Sequence, residues 1–128
     1  MKPQLEGNLF YKSLIDNLYD GVYFVDSERR ITYWNKGAER ITGYTAKTVV
    51  GTLCNANNLL NHVTDAGVNL CEAGCPLKAS IQDGQPHEAD VHLRHADGFR
   101  LPVQVRTSPI QDGDGQIIGA VGNESRPS

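Results

Sequence analysis

Residues 20–44, DGVYFVDSERRITYWNKGAERITGY, hold two β-rich runs and one helical run in direct succession. The runs GVYFVD (21–26) and RITYW (30–34) are separated by the polar triplet SER (27–29), a pattern typical of a β-hairpin. The helical run follows the second strand directly. This stretch therefore predicts a strand–turn–strand–helix unit.

Side-chain alternation predicts which residues of the hairpin share a face. Successive strand residues point to opposite faces, so Val22 and Phe24 share one face. We expect Ile31 and Tyr33 beside them as cross-strand neighbours. Trp34 alternates away from Tyr33, which predicts packing on the outer face of the sheet or a contact with a partner.

Two short helices carry residues typical of helix ends. Asn35 precedes KGAERIT and is predicted to cap that helix, and Gly43 after it predicts a left-handed stop. Pro76 suits the first turn of a second helix, PLKASIQD, which is predicted to end at Gly84. Between them, glycines break the periodicity of residues 44–75, which predicts an irregular segment.

The last third of the chain is rich in alternating strands. HEADVHLRH (87–95) and FRLPVQVRT (99–107) flank an Asp-Gly turn, and QIIGAVGN (116–123) follows a second turn, DGDG (112–115). The element order is helix, two strands, an irregular middle and three antiparallel strands. It predicts an α+β domain in which helices cover one face of a single sheet. A small cavity commonly forms between such layers.

Composition and charge exclude several classes of protein. The 128 residues suffice for one domain with a core of its own. A net charge of -3 argues against nucleic-acid binding, which needs a basic face. No apolar run is long enough to span a bilayer, and the N-terminus lacks the apolar core of a signal peptide. We therefore expect a cytoplasmic protein with no membrane contact.

Apolar residues recur at helical spacing in residues 6–18, EGNLFYKSLIDNL. Two interpretations are open. The helix packs on its own domain, or it pairs with a second copy of the chain. Pairing would make a homodimer whose interface contains Phe10, Leu14 and Leu18.

The irregular middle holds Cys54, His62, Cys71 and Cys75, with spacings of eight, nine and four residues. Thiolates and imidazole suit zinc or an iron centre, and four such ligands complete a tetrahedral site. Cys71 and Cys75 could instead form a reversible disulfide or another thiol switch. Free cysteines are also often buried as small apolar side chains. The sequence leaves these three interpretations open.

Taken together, these segments resemble a PAS sensor domain over about residues 8–122. The first half is similar through Asp20-Gly21, ITYWN (31–35), Gly43-Tyr44 and Gly51. The second half is similar through the Asp-Gly hairpin, a Pro-Val strand, a Ser-Pro break and a Gly-x-Ile-x-Gly closing strand.

The resemblance implies a five-stranded antiparallel sheet with helices on one face, a ligand cavity and an N-terminal flanking helix. It implies a flanking or dimerisation helix at 1–19, the PAS domain at 20–123, and a tail or linker start at 124–128. Such domains sense a small organic ligand, a cofactor or the redox state. They relay the signal to an effector domain by rearranging flanking helices. The full pattern, including the cysteine-rich middle, resembles PAS domains attached to bacterial diguanylate cyclases or histidine kinases, which act in cyclic-di-GMP or two-component signalling.

Strand residues and residues of the second helix form the expected cavity wall. It comprises Val22, Phe24, Ile31, Tyr33, Leu77, Ile81, Leu101 and Val103. Asn35 is either a helix cap or a residue that braces this cavity.

No catalytic constellation stands out in the sequence. It lacks a Gly-x-Ser-x-Gly turn, a phosphate-binding glycine loop and a His-Glu-x-x-His motif. We therefore expect a non-catalytic domain. The alternatives to ligand sensing are a metal- or redox-responsive sensor that uses residues 54–75 and a ligand-free dimerisation module.

Overall fold

The computed structural model describes residues 14–15, 18–53, 62–64, 67 and 75–126. The strands are β1 (Gly21–Asp26), β2 (Ile31–Trp34), β3 (His87–Arg94), β4 (Arg100–Gln111) and β5 (Ile117–Ser125). The helices with fully described bounds are α1 (Lys36–Thr42), α2 (Ala46–Val49) and α3 (Pro76–Asp83). Within the described ranges, no helix is long and apolar enough to cross a membrane.

The five strands form one antiparallel sheet in the order β2–β1–β5–β4–β3. β1 and β2 pair as the predicted hairpin, and β3 and β4 pair as a second one. β5 joins the two hairpins because it pairs with both β1 and β4. The predicted α+β fold with a five-stranded antiparallel sheet is confirmed.

The sequence signals for helix ends are confirmed. Asn35 is the N-cap of α1, and its Oδ1 accepts a hydrogen bond from Ala38 N–H at 2.8 Å. Gly43 follows α1 in the left-handed conformation, with φ of 81°. α3 begins at Pro76, and Gly84 follows it with φ of 72°.

The three helices cover one face of the sheet, which we call the helix-covered face. A first apolar cluster joins it to all three helices. Its strand members are Tyr23, Val25, Ile31, Trp34 and Ala120, and its helix members include Ala38, Val49 and Leu77. A second cluster on the same face joins Ile41 of α1 to Val91, Leu93, Leu101, Val103 and Val105 of β3 and β4. Burial of each larger aliphatic side chain contributes roughly 1.5–3 kcal/mol, so these two clusters hold the helices on the sheet.

The prediction that Ile31 shares a face with Val22, Phe24 and Tyr33 is wrong, although the other three do share one. Phe24 and Tyr33 are neighbours, with ring centroids 5.1 Å apart, but they lie on the face opposite to the helices. Strand alternation places Val22 on that opposite face as well. A register irregularity after Phe24 pairs Ile31 with Val25 instead, so Ile31 enters the core.

Trp34 also differs from the sequence-based expectation. It was expected on the outer face, but it is buried on the helix-covered face, with its ring centroid 5.3 Å from that of Tyr23. Trp34 Nε1–H donates to the Tyr44 carbonyl at 3.0 Å. The sequence of the hairpin does not show which face the helices cover, because β1 is buried on both faces and therefore apolar on both.

β5 continues to Ser125, beyond the predicted strand end at residue 123. Glu124 pairs with Gly21 of β1 and with Val105 of β4. Because its backbone lies between two neighbouring strands, Glu124 belongs to the sheet rather than to a tail.

The ring of Tyr23 lies across Gly122 of the neighbouring strand. A Cβ placed on Gly122 would lie 2.5 Å from Cζ and 2.8 Å from the hydroxyl oxygen of Tyr23. Non-bonded atoms do not approach so closely, so glycine at this position lets the tyrosine reach the centre of the helix-covered face.

Candidate functional site

A group of buried polar side chains lies at the centre of the fold. Glu124 of β5 and Thr107 of β4 belong to the helix-covered face, because they share strand parity with Gly122 and Val105. Ser80 belongs to α3, and His62 lies in the segment between α2 and α3. All four polar residues are buried: Glu124, Thr107, Ser80 and His62. Burial of a polar atom costs free energy unless it is hydrogen-bonded, so the partners of each atom indicate its role.

Glu124 and His62 form a buried pair. The Nε2 atom of His62 lies 3.2 Å from Oε2 of Glu124, and the two residues are 5% and 2% exposed. Because a carboxylate oxygen accepts, Nε2 carries the proton in this contact. The other carboxylate oxygen, Oε1 of Glu124, is buried without a hydrogen-bond partner among the described residues.

That unsatisfied oxygen distinguishes Glu124 from the three other members of this group, His62, Thr107 and Ser80. An unpaired buried acceptor costs about 1–3 kcal/mol, and more when the group is charged. Structural side chains are seldom left in this state. A ligand with an N–H or O–H group would therefore gain a hydrogen bond at Oε1 of Glu124.

Ser80 and Thr107, in contrast, connect α3 to the sheet. Their hydroxyl oxygens lie 2.7 Å apart. Thr107 Oγ1 donates to the Pro76 carbonyl at 3.0 Å, and Ser80 Oγ lies 2.8 Å from the Gln85 carbonyl. Their hydrogen-bonding capacity is used within the fold, so their role here is to fix α3 on β4.

Asn35 also has its side-chain capacity filled. Its Oδ1 accepts from Val22 N–H at 2.9 Å in addition to Ala38 N–H. Its Nδ2 donates to the carbonyls of Ile15 at 2.8 Å and Asp20 at 3.1 Å. Of the two roles considered for Asn35, the helix cap is confirmed, and the side chain also braces β1 against the segment before it.

Five residues of the expected cavity wall lie on the helix side of the sheet. Ile31, Leu77, Leu101 and Val103 are buried in the two apolar clusters, and Ile81 is half-buried against the first cluster. These five residues therefore share the helix-covered face with the Glu124–His62 pair.

The four candidate metal ligands are only partly described. Cys54 and Cys71 lie outside the described residues. Cys75 is a buried free cysteine at the N-cap of α3, where its side chain makes no capping hydrogen bond. The described residues contain no group of three or more histidine, cysteine, aspartate or glutamate side chains that could hold a metal ion. His62 contacts Glu124 instead.

The predicted dimer interface is also only partly described, because Phe10 lies outside the described residues. Leu14 and Ile15 are helical, in agreement with the N-terminal helix expected from the sequence. Leu14 is 52% exposed and Leu18 is 42% exposed. These two apolar side chains are therefore accessible in a single copy of the chain.

Sequence reasoning missed Glu124, Thr107 and Ser80. A signal for Glu124 existed, since it shares strand parity with Ala120 and Gly122 in QIIGAVGNES. Ending the strand at residue 123 hid that signal. Serine and threonine carry no comparable signal, because both are mostly exposed in folded proteins.

Comparisons with known proteins agree with this geometry. A family model described as the PAS fold matches residues 9–123. The PAS domain of a protein from Colwellia psychrerythraea is 20% identical, with a TM-score of 0.75 and 96% of each chain covered. The PAS domain of nitrogen regulation protein NR(II) from Vibrio parahaemolyticus is 22% identical, with a TM-score of 0.70, and the match covers 91% of this chain and 97% of that one.

A third similar structure is an RNA-binding light-oxygen-voltage receptor. It is 18% identical, with a TM-score of 0.78 over 97% of this chain and 34% of the receptor, so the chain spans about a third of that receptor's length. At these identities, the likeness to solved structures shows the fold alone. No curated protein sequence matches the chain.

Proposed function

Because the chain belongs to the PAS family, a family of sensory modules in signalling proteins, we propose that it binds a small ligand on its helix-covered face and passes the signal to an effector. One observation carries this proposal. Glu124 is buried on that face, His62 contacts one of its carboxylate oxygens, and the other oxygen has no partner among the described residues.

The ligand would supply the missing donor. An N–H or O–H group would satisfy Oε1 of Glu124 in a dry environment, where hydrogen bonds to a charged group are strong. His62 restrains the rotation of the carboxylate, so Oε1 keeps a fixed direction. The apolar residues of the expected wall, such as Leu77 and Val103, would contact the remainder of the ligand.

The test is native mass spectrometry of the full chain, purified directly and after incubation with a small-molecule extract of cells. We expect a small-molecule adduct on the wild type. Glu124→Gln keeps the shape of the side chain but replaces one acceptor oxygen by a donor, so we expect at least about tenfold less adduct.

The matched control is Glu88→Gln. Glu88 is exposed on β3, and its Oε2 lies 3.3 Å from Nε of Arg106. The proposal expects wild-type adduct levels in this control. Equal adduct levels in Glu124→Gln and the wild type would contradict it.

Signal relay would use the N-terminal helix. The Asn35 side chain joins the Ile15 carbonyl of that segment to the starts of β1 and α1. A ligand that shifts β1 or α1 would therefore move the N-terminal helix. We propose a homodimer through Phe10, Leu14 and Leu18, in which this movement changes the packing of the two copies.

The proposed effector is a diguanylate cyclase or a histidine kinase, attached or associated. Support comes from the resemblance noted in the sequence and from the likeness to the PAS domain of a nitrogen regulation protein. We propose that the domain itself is non-catalytic and does not contact nucleic acid or membrane.

A metal- or redox-responsive sensor is the second candidate. His62 and Glu124 place a nitrogen and an oxygen donor side by side, and Cys75 is a free thiol. With Cys54 and Cys71, these side chains could bind zinc or iron. Metal content distinguishes this candidate from the first.

A further inference from the structure

A cleft of about 260 Å³ opens at one end of the fold, and Glu124 is not among its described lining residues. Tyr19, which precedes β1, forms one side, and the last turn of α1 forms another. The hairpin between β3 and β4 closes the third side. The floor is apolar, because it consists of the buried side chains of Ile41 and Leu101 from the second apolar cluster.

Two arginines face this cleft without an acidic partner. Arg40 of α1 and Arg126, just after β5, both line it and are exposed. Among the described residues, neither guanidinium has a carboxylate within salt-bridge distance. No aspartate or glutamate belongs to the described lining. In a chain with a net charge of -3, this is a local concentration of positive charge.

Arg40 is held in place. Its guanidinium lies over the ring of Tyr19, 4.6 Å from the centroid, and its Nη2 donates to the Tyr19 carbonyl. A guanidinium fixed in this way loses little conformational entropy on binding an anion. Its remaining N–H donors are available to a ligand.

The hairpin side of the cleft is a flat aromatic surface. The rings of His95 and Phe99 are stacked, with centroids 4.3 Å apart and planes inclined by 13°. Phe99 is 51% exposed, so the aromatic surface is accessible. Asp97 N–H donates to His95 Nδ1 at 3.0 Å, which orients the imidazole.

The residue after α1 brings this aromatic pair against the helix. Gly43 has φ of 81°, and a Cβ there would lie 2.5 Å from Cε1 of His95. The absence of a side chain at Gly43 therefore allows His95 to pack against the end of α1. Asp97 lies beside this aromatic pair: its Oδ2 is 3.6 Å from His95 Nδ1, and its side chain is 80% exposed.

We propose that this cleft is a binding site for a small planar organic anion of the arylcarboxylate class. The carboxylate would pair with the guanidiniums of Arg40 and Arg126, for which bidentate contacts are favourable. The ring would lie on the apolar floor against His95 and Phe99. The small volume limits the ligand to about one ring. This site is separate from the proposed sensing site at Glu124, and the two can be tested independently.

Benzoate and benzamidine test the proposal, because they have the same ring and opposite charge. Each is titrated into the full wild-type chain and followed by two-dimensional amide NMR. We expect saturable shifts with benzoate at Arg40, His95 and Phe99, and a dissociation constant on the order of 1 mM for so small a ligand. We expect no saturation at these residues with benzamidine.

Arg126→Gln is the first variant, because no contact in the described fold depends on this exposed side chain. We expect it to weaken benzoate binding at least fivefold, and Arg40→Gln to weaken it further if that variant keeps the wild-type amide spectrum. Arg94→Gln, an exposed arginine of β3 outside the cleft, is the matched control and should bind benzoate as the wild type does.

Three results would overturn the proposal. They are saturation by benzamidine at the same residues, unchanged benzoate binding in Arg126→Gln, and benzoate shifts that map away from the cleft. None of them bears on Glu124, so they leave the proposed sensing function standing. Likewise, the amount of adduct on Glu124→Gln does not test whether the cleft binds benzoate.

Discussion

Replacing Asn35 by alanine removes four hydrogen bonds from the centre of the fold. Two of them are made by Oδ1, which accepts from the backbone N–H groups of Val22 and Ala38. The other two are made by Nδ2, which donates to the carbonyls of Ile15 and Asp20. The side chain is fully buried, so water does not simply replace it.

The cost follows from the groups that lose their partner. Each buried backbone group left unsatisfied costs about 1–3 kcal/mol, and loss of an N-cap costs about 0.5–2 kcal/mol. The two N–H groups are the more deeply placed, and water can reach some of the carbonyls. We therefore expect Asn35→Ala to lower the free energy of unfolding by about 3–5 kcal/mol. That is a large part of the total stability of a domain, about 5–15 kcal/mol.

Urea unfolding of the full chain measures this loss, with the fluorescence of the single tryptophan, the buried Trp34, as the signal. Asn35→Asp keeps an acceptor and loses the two Nδ2 donations, so we expect a smaller loss of about 1–3 kcal/mol. Asn123→Ala, a half-buried asparagine of β5, is the control and should lose less than about 1 kcal/mol. The reasoning fails if Asn35→Ala lowers the free energy of unfolding by no more than Asn123→Ala does.

Other perturbations test separate parts of the account. Leu14→Asp should convert a dimer to a monomer without unfolding, because Leu14 is exposed; an unchanged mass by light scattering would refute dimerisation through this helix. Gly122→Ala should lower the free energy of urea unfolding by about 1–3 kcal/mol, because its Cβ meets the Tyr23 ring; no change would show that the ring moves freely. The hydrogen bond from the Gln85 backbone N–H, and then the His87 side chain, hold the pKa of the Asp83 carboxyl below its ordinary value of 3.8. A depressed pKa contributes stability above the unfolded pKa that is lost as the pH falls through the folded pKa. Asp83→Asn should thus be less stable than wild type at neutral pH, with a difference that disappears below pH 3.8 in acid titrations of unfolding. Elemental analysis should find less than about one tenth of an equivalent of zinc or iron, whereas near one equivalent would favour the metal sensor.

The strands and caps could be predicted because their signals are local. The polar turns that separate the strand runs, the cap at Asn35 and the left-handed glycines each depend on a few neighbouring residues. The faces of the first hairpin could not be predicted in the same way. β1 is apolar on both sides, and the irregularity after Phe24 reverses the face on which Ile31 lies.

The candidate site was harder to predict because its members are distant in the sequence. His62 and Glu124 are separated by 62 residues, and only the fold brings them together. His62 was singled out as a metal ligand from its cysteine neighbours, whereas its contact in the fold is a carboxylate. The cleft that contains Arg40 and Arg126 depends equally on the fold, which brings α1, the β3–β4 hairpin and the residue after β5 together.

The most direct test of ligand sensing is a crystal structure of the full chain purified without denaturation, examined at Oε1 of Glu124. The account predicts a small molecule on the helix-covered face, with an N–H or O–H group within hydrogen-bond distance of that oxygen. A side chain of the protein that occupies this position and donates to Oε1 would contradict it. The domain would then be a ligand-free dimerisation module.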